Sequence, residues 1–148
     1  MARIHIPLPE HFLFETVLPV CISDINYGNH MTNDAILRFA HETRLRFLQT
    51  YGYDETDIEG VGIIMSDAAI CYRSEVFHGA SLRISVGIND ISRHGFDMVY
   101  QAIDDNNKQE VARLKTGIVF FDYSARKIAR IPPPFLLRIG VEQPGAQA

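Results

Sequence analysis

One segment of this chain has a helical period, and nearly everything after it has the period of a strand, an order that leaves few folds open. From Asn33 onward, Ile36, Phe39, Ala40, Thr43, Phe47 and Tyr51 recur at helical spacing, while Ala35, Leu37, Leu45 and Leu48 widen the apolar face. A helix that is apolar on most sides must be wrapped by protein. Thr32 or Asn33 stands where a helix start is capped, and Gly52 where a left-handed residue ends one. Ahead of it, Phe12 to Ser23 alternates like a strand, with Pro19 marking an edge or a bulge. Beyond the acidic loop Asp54 to Gly60, strand patterns run over 61–72, 82–88, 96–103 and 110–123. Asp104-Asp105-Asn106-Asn107 signals the turn before the last of them. Pro132-Pro133-Pro134 closes the pattern, with one helical turn over 135–139. The predicted class is α+β, one long helix laid across a curved antiparallel sheet. A single domain over 1–148 is expected, with flexible ends at 1–11 and 141–148.

With 148 residues, 47% of them hydrophobic, the chain can bury a core without disulfides or a structural metal. A net charge of −4 argues against a protein that coats nucleic acid. No apolar run is long enough for a membrane span, and the first residues lack a signal peptide's regions, so a soluble cytoplasmic protein is expected. Cys21 and Cys71 read as buried small hydrophobes. His41, His78 and His94 lack metal-ligand spacing; neither a metal nor a cofactor is expected. The run Val119-Phe120-Phe121 is apolar on both faces of its strand. A single long helix covers only one face, so a homo-oligomer is expected, a homodimer or a dimer of dimers.

The segment VCISDINYGNHMTNDA, residues 20–35, resembles the start of the hotdog-fold thioesterase superfamily, the acyl-CoA and 4-hydroxybenzoyl-CoA thioesterase-like branch. The family's pattern there is D-x-D-x-x-G-H-V-N-N, followed by a helix carrying E-A-R. Asp24, Gly28, His30 (one place late), Asn33, Glu42 and Arg44 echo it. The strand ending Ala69-Ile70-Cys71-Tyr72-Arg73, the following Phe77-His78-Gly79 and the final strand Thr116 to Asp122 fit as well. The resemblance implies a helix "sausage" in a sheet "bun", dimerised with the active site at the subunit interface. It also implies an acyl thioester of coenzyme A or of an acyl-carrier protein as substrate.

A thioester hydrolase needs donors for the carbonyl oxygen and a base or nucleophile at the carbonyl carbon. The helix N-terminus near Asn33 supplies free N–H groups and a favourable dipole for the oxyanion. In the family's aspartate-using members the reactive carboxylate is the third residue of the pattern, and here that place is Asn26. An amide orients a water or the substrate but takes no proton. The acid must then be Asp24 or Asp67, as in the plant acyl-carrier-protein thioesterases, where a D-x-N-x-H run works with an acid from the second strand. Asp67 interrupts Ile63-Ile64-Met65 and Ala68-Ala69-Ile70, so it is expected to enter an apolar wall beside the substrate and to gain basicity from desolvation. The expected catalytic set is therefore Asp67, Asn26, His30 and Asp24, with Gly28, Asn33 and Tyr72 binding substrate. Two other readings stay open: a hydratase acting on enoyl thioesters, and a non-catalytic acyl-thioester-binding dimer that lost its acid at Asn26.

Overall fold

A computed structural model of the protein describes residues 2–142; the tail from 143 onward, part of the expected flexible end, lies outside them. Strand β1 (Phe14–Pro19) ends in a 3-10 turn at Ile22–Asp24, and a polar loop leads into helix α1 (Ala35–Thr50). Strands β2 (Gly62–Tyr72), β3 (Ser81–Asn89), β4 (Gly95–Asp104) and β5 (Glu110–Asp122) follow. A two-residue strand β6 (Lys127–Ile128) and a closing helix α2 (Pro133–Ile139) complete the chain. The periodic patterns locate each long element closely. Strand β1 is shorter than its alternation, because Pro19 ends it and Ile22 turns outward, and β6 is too short to have a period.

All strand pairs are antiparallel, in the order β1-β3-β4-β5-β2, with β6 added to β5. Register shifts between Met65 and Asp67 and between Ala102 and Ile103 are bulges, which bend a strand and sharpen its twist. Within the resulting curved sheet, Ile36, Phe39, Ala40, Phe47 and Leu48 of α1 share one core with Leu82, Ile84, Met98, Leu114 and Ile118. Burying a side chain of this size contributes about 1.5–3 kcal/mol. Helix α2 closes one end by placing Phe135 among the rings of Tyr53, Phe96 and Phe120.

A polar thread runs through this core. Arg44, in the middle of α1, is buried. Its Nε donates to Glu55 Oε2 at 2.9 Å and its Nη1 to the Tyr100 hydroxyl at 3.1 Å. The Tyr100 hydroxyl also meets Thr116 Oγ1 at 3.0 Å, and His41 Nε2 lies 2.7 Å from the other Glu55 oxygen. Burial pushes the Glu55 carboxyl up, but hydrogen bonds from His41 and Arg44 and the Arg44 charge outweigh it and hold Glu55 below the usual range. Among the described residues no buried side-chain nitrogen or oxygen lacks a partner.

The first residues depart from the expected loose end. Ile6 is 3% exposed, and Arg113 Nη1 and Asn89 Nδ2 donate to the carbonyls of Ile6 and Pro7. Gly87 makes room for this arm, since a Cβ there would meet Pro9 Cγ at 2.5 Å. The thiols depart too: Cys21 is exposed and Cys71 half-buried on the face the arm crosses, its Sγ donating to the Ile4 carbonyl. Among the described residues no helix is long and apolar enough to cross a membrane.

Removing the Arg44 guanidinium leaves the buried Tyr100 hydroxyl facing a vacancy and the half-buried Glu55 without its main cation. Arg44→Ala is expected to lower unfolding free energy by about 3–5 kcal/mol in urea titration. Because Glu55 is lowered in the folded state, its share of stability is present above the ordinary glutamate range and lost as pH falls through the folded value. Glu55→Gln should therefore flatten the acid limb of the stability profile, below the ordinary glutamate range.

Candidate active site

The loop before α1 is a tight hairpin closed by side chains. Asn26 N–H donates to the His30 carbonyl, and Ile25 bridges Met31. Counted from Asp24, the glycine of the D-x-D-x-x-G-H pattern falls on Asn29, so His30 stands in register rather than one place late. The backbone agrees: Asn29 has φ 66°, a left-handed conformation that glycine adopts freely and asparagine tolerates.

Asp24 is the clamp of this loop. Its side chain is 10% exposed, Oδ2 accepts from the Cys21 N–H at 2.9 Å, and Oδ1 pairs with Arg38 of α1 at 3.2 Å. The Thr32 N–H donates to its carbonyl at 2.8 Å. Both carboxylate oxygens thus hold the hairpin against the helix.

Asn26 Oδ1 accepts from the Gly28 N–H at 2.9 Å. A Cβ on Gly28 would lie 3.2 Å from that oxygen and 3.2 Å from His30 Nε2, so the amide and the imidazole edge converge over this residue. The His30 Nδ1–H donates to the Met31 carbonyl at 3.1 Å, which leaves Nε2 on the edge that faces Gly28.

Beside His30 opens a pocket of about 260 Å³, lined among others by Asn33, Ile36, Tyr72 and Glu75. It sits at the start of α1, where first-turn N–H groups have no partner within the helix. Thr32 Oγ1 accepts from the Ala35 N–H at 3.3 Å, and Asp34, the residue before the helix, makes no capping bond. The Thr32 hydrogen bond holds the Asp34 carboxyl below its ordinary range, aided by Arg38. The Tyr72 hydroxyl donates to the Asn33 carbonyl at 2.6 Å, tying β2 to the helix mouth. Burial, then the Asp34 charge, push the Tyr72 hydroxyl up. The pocket brings together His30, Asn33 and Tyr72, whereas Asp24, Asn26 and Gly28 are not part of its lining. It also includes Glu75, which sequence reasoning missed because that residue sits in a loop with no periodic signal.

Asp67 is the correction. Ile63 and Met65 pair with Phe120 and Ile118 of the core face, and plain alternation would bring Asp67 to that face too. The bulge after Met65 reverses the phase, so Asp67 pairs with Gly117 on the opposite face. There its side chain is 60% exposed, accepts from Lys115 Nζ at 2.8 Å and from the Gly117 N–H at 3.1 Å. The Lys115 hydrogen bond holds Asp67 below the usual carboxylate range, the reverse of the expected gain in basicity.

A family model described as the thioesterase-like superfamily matches residues 20–139. Among solved structures the chain is similar to a 1,4-dihydroxy-2-naphthoyl-CoA thioesterase from Synechocystis, at 22% identity and a TM-score of 0.78, covering 86% of this chain and 95% of that one. It is also similar to a hypothetical protein from Staphylococcus aureus in complex with CoA, at 14% identity and 0.78, covering 92% and 86%. A third likeness is a 12:0-ACP thioesterase from Umbellularia californica, at 12% identity and 0.74, covering 86% and 49%. No curated protein matches the sequence. At such identities the likeness is one of fold, and that fold is the hotdog: one long helix held in a curved, open antiparallel sheet.

Asp24→Asn keeps the shape of the clamp but loses its charge on Arg38. It is expected to lower stability by about 1 kcal/mol in denaturant unfolding, the scale of a partly exposed charged hydrogen bond.

Proposed function

The chain belongs to the thioesterase-like superfamily, and from that premise we propose that it hydrolyses acyl thioesters to a free acid and a thiol. The observation that carries the reading is the pocket where His30, Asn33 and Tyr72 meet at the N-terminus of α1. A thioester carbonyl placed there turns its oxygen toward the first-turn N–H groups. The helix dipole then stabilises the negative charge that develops as water attacks. Asn26 and His30, converging over Gly28, are the polar groups that orient water and substrate. Asp24 acts on this site by holding the hairpin to Arg38. Nothing in this chemistry calls for a metal or a cofactor, since water is the only co-substrate.

Coenzyme A is the carrier this reading favours. A second hollow of about 560 Å³ adjoins the first, sharing Tyr72 and Arg73 and adding Arg3 and His5 of the N-terminal arm. Basic side chains at that place suit the phosphates of a CoA thioester whose acyl end occupies the helix mouth. The protein works as a homodimer in this account, through the edge of β2. That strand is 11 residues long, ends the sheet, and exposes Ile64, Met65 and Tyr72, an apolar edge that calls for cover.

The test is release of free thiol from a panel of acyl-CoA substrates; a panel that releases none favours the binding reading, and loss of enoyl absorbance without thiol favours a hydratase. Arg73→Ala is expected to raise KM for acyl-CoA by about tenfold, the loss of one phosphate contact, with kcat little changed. Sedimentation of the protein at micromolar concentration should show a dimer or larger species.

A further inference from the structure

We propose that Glu75 is the general base of this hydrolysis, standing in for the carboxylate that Asn26 cannot be; the assignment rests on the hydrolase reading above. Every other acid near the pocket is engaged. Asp24 is held by Cys21 and Arg38, and Asp34 pairs with Arg38. Glu110 accepts from Gln101 and Arg113 and pairs with Arg73, while Asp67 lies across the sheet against Lys115. Glu75 alone among the pocket's lining residues brings a carboxylate, and among the described residues that carboxylate is in no hydrogen bond or ion pair.

Its backbone, by contrast, is pinned on both sides. Ser74 Oγ donates to the Glu110 carbonyl at 2.8 Å, and the Ser74 N–H donates to the Val111 carbonyl at 3.2 Å. On the other side Val76 is buried, and its carbonyl accepts from the Met31 N–H at 2.8 Å. That last bond sets Glu75 one residue away from a bridge whose other end is one residue from His30. An uncommitted carboxylate on a fixed backbone, beside an imidazole and a helix N-terminus, is what a general base requires. Glu75 is exposed to solvent while it lines the pocket, so water reaches its carboxylate.

The step balances with water alone. Glu75 takes one proton from a water in the pocket as the water oxygen bonds to the carbonyl carbon. The carbonyl electron pair moves to its oxygen, facing the N–H groups that begin α1. Collapse reforms the C=O bond and breaks the C–S bond, and the departing thiolate takes the proton from Glu75. The products are a carboxylic acid and a thiol, and the base is regenerated.

The experiment compares the full-length protein with Glu75→Gln and Asp67→Asn on the acyl-CoA substrate that the parent hydrolyses best. Glu75→Gln is expected to lower kcat by about 10²-fold or more, with KM changed by less than about threefold and an unchanged melting temperature. Asp67→Asn is expected to keep the parent's rate. An active parent whose Glu75→Gln variant turns over equally fast overturns the assignment alone. So does a Glu75→Gln loss that lies in KM with kcat intact. A parent that releases no thiol from any acyl-CoA overturns the hydrolase reading, and the assignment with it.

Discussion

The buried guanidinium of Arg44 is the interaction on which the rest of the architecture depends. A helix with apolar residues around most of its circumference could slide or rotate against a sheet of similar side chains at little cost, since hydrophobic contact has no direction. Arg44 removes that freedom. Its donors reach Tyr100 on β4 and Glu55 in the loop after the helix, and Tyr100 passes the contact to Thr116 on β5. A buried charge is tolerated only where its partners stand, so one azimuth and one height of α1 satisfy it. Helix height in turn decides where the N-terminus of α1 meets the sheet, and there the candidate site lies.

From that fixed point the loop before the helix is built by short polar contacts rather than by burial. Asp24 grips Arg38 one turn into α1, Asn29 supplies the left-handed step, and Thr32 caps the first turn. Tyr72 closes the far side by donating to the Asn33 carbonyl, so β2, the loop and the helix converge on one pocket. Each contact is local to the site, yet each depends on α1 sitting where the core network holds it.

The bulge in β2 decides which face of the sheet Asp67 occupies. One added residue between Met65 and Asp67 turns the carboxylate away from the core and delivers it to Lys115, which shares its charge with Asp97. Beyond the bulge the strand keeps the reversed phase, which points Tyr72 toward the helix. Asp67 therefore joins Lys115 and Asp97 on the outer face through a backbone irregularity.

Periodicity in the chain was enough to determine its long elements. Apolar spacing from Ile36 to Tyr51 marked α1, and alternation marked β3, β4 and β5, because the period of a helix or strand is written in neighbouring residues. The segment from Asp24 to Asn33 marked a candidate site for the same reason: its turn residues and helix start are contiguous, and His30 and Asn33 line one pocket with Tyr72. Arg44 was legible as a helix residue but not as a buried one, since its partners lie at residues 55 and 100. Asp67 was placed on the wrong face because the bulge exists only in the pairing of β2 with β5, a contact between residues about fifty positions apart. Glu75 gave no signal at all. It sits in a non-periodic loop, and only the bond between Met31 and Val76 brings it to the pocket. Local order was thus encoded by neighbours, while the side of the sheet each acid faces was decided by long-range register that no stretch of sequence contains by itself.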